Sequence, residues 1–304
     1  MKRRDFIQKT AASSTLLTLG GLSLSSFTTE EVRKVTILHT NDVHSHIDPF
    51  PATDPKNPNQ GGVARRAAII EQIRKEEANV LLLDAGDIFQ GTPYFNYYGG
   101  ELEMKLMSMM KYDLATIGNH DFDNGVEGLL AQMPHANFQF VNANYNFMNT
   151  VLYTHIEPYK IFNKGGIKIG VFGLGIELQG LVDKKLYRET KYNDPIEIAQ
   201  DMSRILKEEK KCDIVICLSH LGFNYKNDPD KPSDINVARK TKNIDLIIGG
   251  HTHTFLDKPV IEKNIDGNEV LVNQVGCYGI NMGRIDFYLY SKNNVTSGGK
   301  KIII

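Results

Sequence analysis

The sequence predicts an α/β fold built on a mixed sheet. Three observations lead to it. Helix-period segments and short apolar runs alternate from Val35 to Ile248. Several of the runs, such as Val80–Leu83, are apolar throughout, as in parallel strands covered on both faces. Beyond them the chain turns to hairpins, with an Asp-Gly turn at residues 266–267. Composition agrees: 304 residues, 41% hydrophobic and 23% charged, describe an ordinary globular chain and exclude disorder as its main state. That length buries a substantial core in one large domain or two modest ones. No repeat and no Pro/Gly/Ser-rich linker divides residues 30–304, which read as one domain. A formal net charge of -1 offers no basic field to a nucleic-acid polymer.

Residues 1–29 stand apart. Met1–Lys9 is basic (MKRRDFIQK), and no charged side chain occurs from Thr10 to Thr29. That stretch is too weakly apolar for a membrane span, which takes about 20 mostly apolar residues. A basic start followed by a mildly apolar region fits an export signal. Arg3-Arg4-Asp5-Phe6-Ile7-Gln8-Lys9 resembles the twin-arginine motif that carries folded proteins across a bacterial membrane. Residues 1–29 are therefore expected to be a twin-arginine-type signal region, the destination periplasmic, and membrane contact limited to export.

The elements follow in order. Val35–Leu38 is a β-branched run ending at His39-Thr40, and a polar loop continues to Gly61. Val63–Ala78 sets apolar residues at helical spacing opposite charges. Val80–Leu83 is a strand, and Glu101–Met110 is a helix whose methionine stripe is core packing. Leu114–Ile117, Phe138–Asn142, Ile167–Gly173, Ile214–Leu218 and Leu246–Ile248 are further strands. Pro195–Lys211 is a helix with Pro at its first position behind an Asp194 cap. Val260–Lys263 and Val270–Asn273 form a hairpin, followed by a strand over Arg284–Tyr290. Cys212 and Cys217 flank one strand, so at about 3.3 Å per residue they stand roughly 16 Å apart, beyond disulfide reach. With Cys277 they read as buried, apolar-like thiols.

Five polar clusters each follow an apolar strand at once. They are Asn41-Asp42-Val43-His44, Gly86-Asp87, Gly118-Asn119-His120-Asp121-Phe122-Asp123, Ser219-His220 and Gly249-Gly250-His251-Thr252-His253. Loops beyond the carboxyl ends of strands in open α/β sheets converge on the ligand site. A single Asp or His after a strand is more often a cap or turn residue, but five of the nine histidines fall here, which points to one shared site. Asp42/His44 and His251/His253, spaced i, i+2, point the same way along an extended segment and can grip one ion. Imidazole, carboxylate and amide oxygen suit Mn²⁺, Fe²⁺, Zn²⁺ or Co²⁺. Two such ions against two carboxylates leave a positive site fit for a phosphate anion. A pair about 3.5–4 Å apart can hold the attacking and leaving oxygens of an in-line displacement.

In this order, D-x-H, G-D, G-N-H-D, a lone His after a strand and G-H-x-H resemble the fingerprint of the calcineurin-like metallophosphoesterases. The fuller wording is similar to the 5′-nucleotidase branch: His39 to His44, Gly86-Asp87 with Gly91 following, Gly118 to Asp123, and Gly250 to His253. The resemblance covers residues 33–290. It implies a four-layer α-β-β-α sandwich with mixed sheets, with residues 30–304 as the catalytic domain and a dinuclear metal site at the strand C-terminal ends. Asp42, His44, Asp87 and His253 would hold one metal. Asp87, Asn119, His220 and His251 would hold the other, with Asp87 bridging. His120 would stabilise transition-state charge and Asp123 would orient it, while Asp121 receives no catalytic role. His39 and His46, close to the first ligands, are either orienting or structural groups, and His135 and His155 have no such context.

The activity implied is hydrolysis of a small phosphoester, a 5′-nucleotide in type, by metal-activated water attacking phosphorus in line. The cofactors are two divalent ions among Mn, Zn, Fe and Co. Nucleotidases of this branch carry a second domain with base-stacking aromatics and substrate arginines, and that domain is expected to be absent here. A separate chain supplying that substrate-binding domain is an expected partner. On the same scaffold the alternatives are a cyclic-nucleotide phosphodiesterase or a sulfur-compound hydrolase. A non-catalytic anion-binding subunit is the alternative from another class, and His120 with Asp123 counts against it. Phe89–Tyr98, beside Asp87, is expected either as a docking or substrate rim or as ordinary core and loop packing.

Overall fold

A computed structural model describes residues 32–291 and 294–304. The expected signal region at 1–29 lies outside them. Sheet one contains β1 (Arg33–Thr40), β2 (Val80–Asp84), β3 (Leu114–Ala115) and β4 (Gln139–Phe140), which run parallel in that order. A short pair, β5 (Tyr145–Asn146) and β8 (Lys191–Tyr192), stands outside both main sheets. Sheet two contains β6 (Tyr159–Lys164), β7 (Ile167–Gly175), β9 (Ile214–His220), β10 (Leu246–Gly249), β11 (Val260–Lys263) and β12 (Glu269–Asn273). In it β7, β9, β10 and β12 run parallel, and β6 and β11 pair antiparallel at the two edges. The chain then returns to sheet one as β13 (Asn281–Ser291), antiparallel to β1, and β14 (Asn294–Ile303), antiparallel to β13.

Alternation of side chains along each strand builds three cores from these two sheets. Val35 and Ile37 of β1 and Leu81 and Leu83 of β2 meet Ile169, Val171, Ile214 and Ile216 between the sheets. The opposite faces turn to helices. Leu38 and Leu82 pack under α1 (Val63–Glu76), α3 (Glu101–Met109) and α4 (Gly125–Gln132) through Ile70, Met104 and Leu129. The short helix α2 (Pro93–Tyr98) adds Phe95 to that core, and α5 (Lys184–Tyr187) lies on the β5–β8 side of the chain. Val215 and Cys217 of β9 pack under α6 (Pro195–Arg204) and α7 (Asp234–Lys240) through Ala199 and Val237. The order helix, sheet, sheet, helix is the expected four-layer sandwich. Burying one such Leu, Ile or Val contributes about 1.5–3 kcal/mol, so both central sheets are held from two sides.

The mixed sheet read from the alternation of segments divides into two, as the resemblance implies. A strand that is apolar on both faces reads the same whichever sheet it joins, so its sequence does not distribute strands between sheets. The runs Leu114–Ile117 and Phe138–Asn142 shorten to two paired residues each, because the chain turns away directly after them. The helix from Pro195 starts at its Asp194 cap, whose carboxylate accepts from Ile196 and Glu197 N–H. It leaves α geometry at Ile205 for a single wide turn closed by Lys210 N–H donating to Ile205 O at 2.8 Å. Strand β14 (NVTSGGKKII) was not anticipated, since Thr-Ser-Gly-Gly-Lys-Lys lacks the apolar alternation of a strand. All three cysteines are free and buried, as expected. Among the described residues no helix is long and apolar enough to cross a membrane.

The two-sheet arrangement matters for the site. The carboxyl ends of β1, β2 and β3 in sheet one meet those of β9 and β10 in sheet two, and the five polar clusters follow those ends.

Candidate metal centre

Left-handed backbone recurs within the polar clusters. Asp42, His44, Asp87, His251 and His253 all have φ between 50° and 73°. Few residues other than glycine occupy this left-handed region, and each such residue costs about 1–3 kcal/mol unless its surroundings impose it. Backbone bonds impose it here: Asp42 N–H donates to Gly86 O, His44 N–H to Asp87 O, and Tyr278 N–H to Asp42 O. Gly118 cannot carry a side chain, because a Cβ there would collide with the Asp87 carboxylate. Five of the seven residues expected as metal ligands share this conformation, among fourteen non-glycine residues that adopt it in the described chain.

The side chains form two groups. In the first, His44 Nε2 lies 3.0 Å from His253 Nε2, and His253 Nε2 lies 3.4 Å from Asp42 Oδ1. In the second, His220 Nε2 lies 3.1 Å from Asp87 Oδ2, and His251 Nδ1 lies 2.9 Å from Asn119 Oδ1. Each group holds one Asp and two His whose ligand atoms are within 4.8 Å of one another, Asp42/His44/His253 and Asp87/His220/His251. Asp87 Oδ2 also reaches toward the first group: it is 3.1 Å from His220 Nε2 and 3.7 Å from His44 Nε2. Its other oxygen is committed, accepting from His120 N–H at 2.8 Å.

Hydrogen bonds aim the imidazoles. His44 Nδ1 is 3.1 Å from Phe89 O, and His220 Nδ1 is 2.7 Å from Ala85 O. A carbonyl can only accept, so each Nδ1 carries the proton and each Nε2 turns a lone pair to the centre when the ring is neutral. His220 Nε2 is fully buried and makes no well-aligned hydrogen bond, although Asp87 Oδ2 stands 3.1 Å away. A buried nitrogen without a bond needs an explanation, and a cation between these groups provides one.

Charge argues the same way. Burial lowers the His220 pKa, but Asp87, Asp42 and the Ala85 carbonyl together outweigh it and set it at about 10. His253 is raised to about 10 by its bond to Asp42 and by the Cys277 thiol beside it. His251, under burial and the charge of His220, falls to about 4, and burial lowers His44 as well. Two buried carboxylates thus draw in positive charge, and a divalent cation can supply it in place of protons. The nitrogen, carboxylate and amide donors fit Mn²⁺, Zn²⁺, Fe²⁺ or Co²⁺.

Beside the two groups, His120 Nδ1 lies 2.9 Å from Asp123 Oδ2, and its ring centre lies 5.3 Å from that of His44. The bond to Asp123 raises the His120 pKa. The i, i+3 spacing closes because His120–Phe122 forms a 3₁₀ turn.

All nine residues expected in the metal and catalytic roles therefore come together. The other histidines do not join them. His39 is buried between the sheets, where burial lowers its pKa to about 3 and its Nε2 meets Asn273 Nδ2 at 2.8 Å, so it is a structural group. His46 stacks on Phe50 with ring centres 5.1 Å apart. Phe89–Tyr98 divides: Phe89 and Phe95 stack within the core, while Tyr97 and Tyr98 are exposed.

Two features were missed. Asp121 accepts four backbone N–H bonds, from Asp87, Ile88, Phe89 and Gly118, and so ties the turn carrying Asn119 to the turn carrying Asp87. The loop Gln274–Gly279 was also overlooked. Gln274 Nε2 donates to Gly250 O and its Oε1 accepts from Thr252 Oγ1, which steadies the loop of His251 and His253. The rule that found the other clusters, polar residues directly after an apolar strand, also picks out this loop after β12.

Comparison with known proteins agrees with this geometry. The family model for Calcineurin-like phosphoesterase matches residues 35–255. The chain is 36% identical over 293 residues to a snake venom 5'-nucleotidase of Crotalus adamanteus, covering 89% of this chain and 48% of the relative. It is 33% identical over 323 residues to a 5'-nucleotidase of Rattus norvegicus, covering 97% and 53%. Its fold is similar to the crystal structure of a 5'-nucleotidase precursor from Thermus thermophilus, with a TM-score of 0.80 and 30% identity over 90% of this chain and 55% of that one. The chain spans about half the length of the relatives it matches.

Proposed function

The chain belongs to the calcineurin-like phosphoesterase family, and from that premise we propose that it hydrolyses phosphomonoesters of the 5′-nucleotide type with two divalent ions. The observation that carries the proposal is the Asp87 Oδ2 atom facing both histidine groups. Asp42, His44, Asp87 and His253 would hold one ion, and Asp87, Asn119, His220 and His251 the other. Such ions supply Lewis-acid charge for phosphoryl oxygens and make water more acidic.

The chain's own groups do the rest. Ala85 O and Phe89 O keep His220 and His44 in the orientation that turns Nε2 inward. Asp123 holds His120 by Nδ1, leaving Nε2 as its free ring nitrogen to donate to an equatorial oxygen as charge develops. Asp121 keeps the two ligand turns in register. A merely anion-holding protein has no need of the His120–Asp123 pair.

A substrate panel tests the proposal. The purified chain, with Mn²⁺, Zn²⁺, Fe²⁺ and Co²⁺ varied, is to be offered adenosine monophosphate, an aryl phosphate, cyclic nucleotides and diesters. We expect hydrolysis of the two monoesters within about tenfold of each other, a difference of about 1.4 kcal/mol. Hydrolysis of cyclic nucleotides alone would make the chain a phosphodiesterase, and no hydrolysis with any metal would overturn the phosphoesterase reading in favour of a sulfur-compound hydrolase or a binding protein. In the longer relatives the extra length can carry substrate contacts, and a separate chain supplying them here would raise kcat/KM for the nucleotide and leave the aryl phosphate nearly unchanged.

The same reading places the protein outside the cytoplasm, in the periplasm by the twin-arginine route. Arg3-Arg4 followed by an uncharged stretch supports that route, and relatives described as a venom protein and as a precursor support export in general. Replacing Arg3 and Arg4 by Lys should retain the protein in the cytoplasm, and unchanged export of that variant would count against this route.

A further inference from the structure

One side of the first histidine group is walled by aromatic rings that the proposed chemistry does not use. The Tyr278 ring centre lies 5.7 Å from that of His253, 5.9 Å from that of His44 and 4.4 Å from that of His46. Phe50 extends the wall, stacked on His46 and 6.1 Å from Tyr278. Tyr278, His46 and Phe50 are each half-buried, so the rings are not closed over by the core. Tyr278 also has a φ of 62°, a conformation unfavourable for a bulky residue. Its N–H donates to Asp42 O at 2.7 Å, so the strained turn fixes the ring relative to the Asp42 ligand itself. A half-buried aromatic face, held at some cost beside the first histidine group, is available to the organic part of an ester seated there.

We propose that Tyr278, backed by His46 and Phe50, determines specificity by stacking on a flat aromatic group carried by the phosphoester, a nucleobase or an aryl ring. The inference rests on the phosphomonoesterase reading for the seating of the phosphate, and adds to it a recognition surface within residues 32–304. Every base has a π face, so the wall selects aromatic over aliphatic esters without choosing among bases.

The test compares wild type, Tyr278→Ala and Tyr278→Phe in two measurements. In turnover, kcat/KM for adenosine monophosphate relative to glycerol phosphate should fall about fivefold or more in Tyr278→Ala, through KM, because stacking lost to Ala is worth at least that factor. Tyr278→Phe, which keeps the ring, should stay within about twofold of wild type. In calorimetry, the preference for adenosine monophosphate over inorganic phosphate should shrink in the same proportion. An unchanged ratio in Tyr278→Ala, or an equal loss for both esters, would overturn the inference and leave the ring as a shield for His44 and His253. Failure of the phosphoesterase reading shows separately, as wild type that turns over neither ester; the calorimetric ratio then still decides whether Tyr278 stacks.

Discussion

Asp87→Ala is expected to remove both metal ions and reduce turnover to background. Asp87 Oδ2 stands 3.1 Å from His220 Nε2 and 3.7 Å from His44 Nε2, closer across the two groups than Asp42 Oδ1, which is 3.4 Å from His253 Nε2 but 4.0 Å from His220 Nε2. Without Asp87 the second group keeps only neutral donors, and the first loses one of its two carboxylate charges. His220 Nε2 would also lose the Asp87 carboxylate 3.1 Å away, and a buried polar group deprived of its neighbour costs about 1–3 kcal/mol, so a modest loss of stability should accompany the loss of metal. His253→Ala should differ in kind. It removes one ligand of the first group and leaves Asp87, Asn119, His220 and His251 in place. Elemental analysis of the purified variants checks both statements, and two ions per chain in Asp87→Ala would show the ligand assignment to be wrong.

His120→Ala should give the second large effect with the opposite signature. None of the proposed ligand atoms belongs to the His120 side chain, so metal content should match wild type. Turnover should fall by at least about 10², the scale of losing one positioned donor to developing charge. Asp123→Asn should cost less, because the amide still reaches His120 Nδ1 and only the charge that favours the protonated ring is gone. Rapid-quench or steady-state kcat, measured at equal metal occupancy, separates this from a metal-binding defect. Wild-type turnover in His120→Ala would remove the residue from the mechanism.

The legible part of this protein lies in strands and the residues immediately beyond them. Val80–Leu83 and Ile214–Leu218 announce themselves because a strand covered on both faces must be apolar throughout. Asp42, Asp87, Asn119, His220 and His251 were visible because each cluster follows such a strand by a few residues, and geometry then leaves little choice about where it points. Distribution between sheets was not legible, since both sides of β1 carry buried apolar residues, Val35 and Ile37 on one and Leu38 on the other. Asp121 escaped because its work is done on backbone N–H groups, which every residue has. Tyr278 escaped for a different reason. Its position depends on an Asp42 carbonyl 236 residues earlier in the chain, and no local pattern encodes that pairing. The strand β14 has the weakest signal of the longer strands, because it rests on backbone pairing with β13 across two adjacent glycines.

The claim on which the rest depends is that two ions share Asp87 and are both required for hydrolysis. The direct measurement strips the wild-type chain with a chelator and titrates Mn²⁺ or Zn²⁺ back, following bound metal per chain and phosphomonoester turnover in the same samples. Two ions per chain, with turnover rising only as the second is bound, is the predicted result. Saturation at one ion, or hydrolysis that persists in the stripped chain, would contradict it.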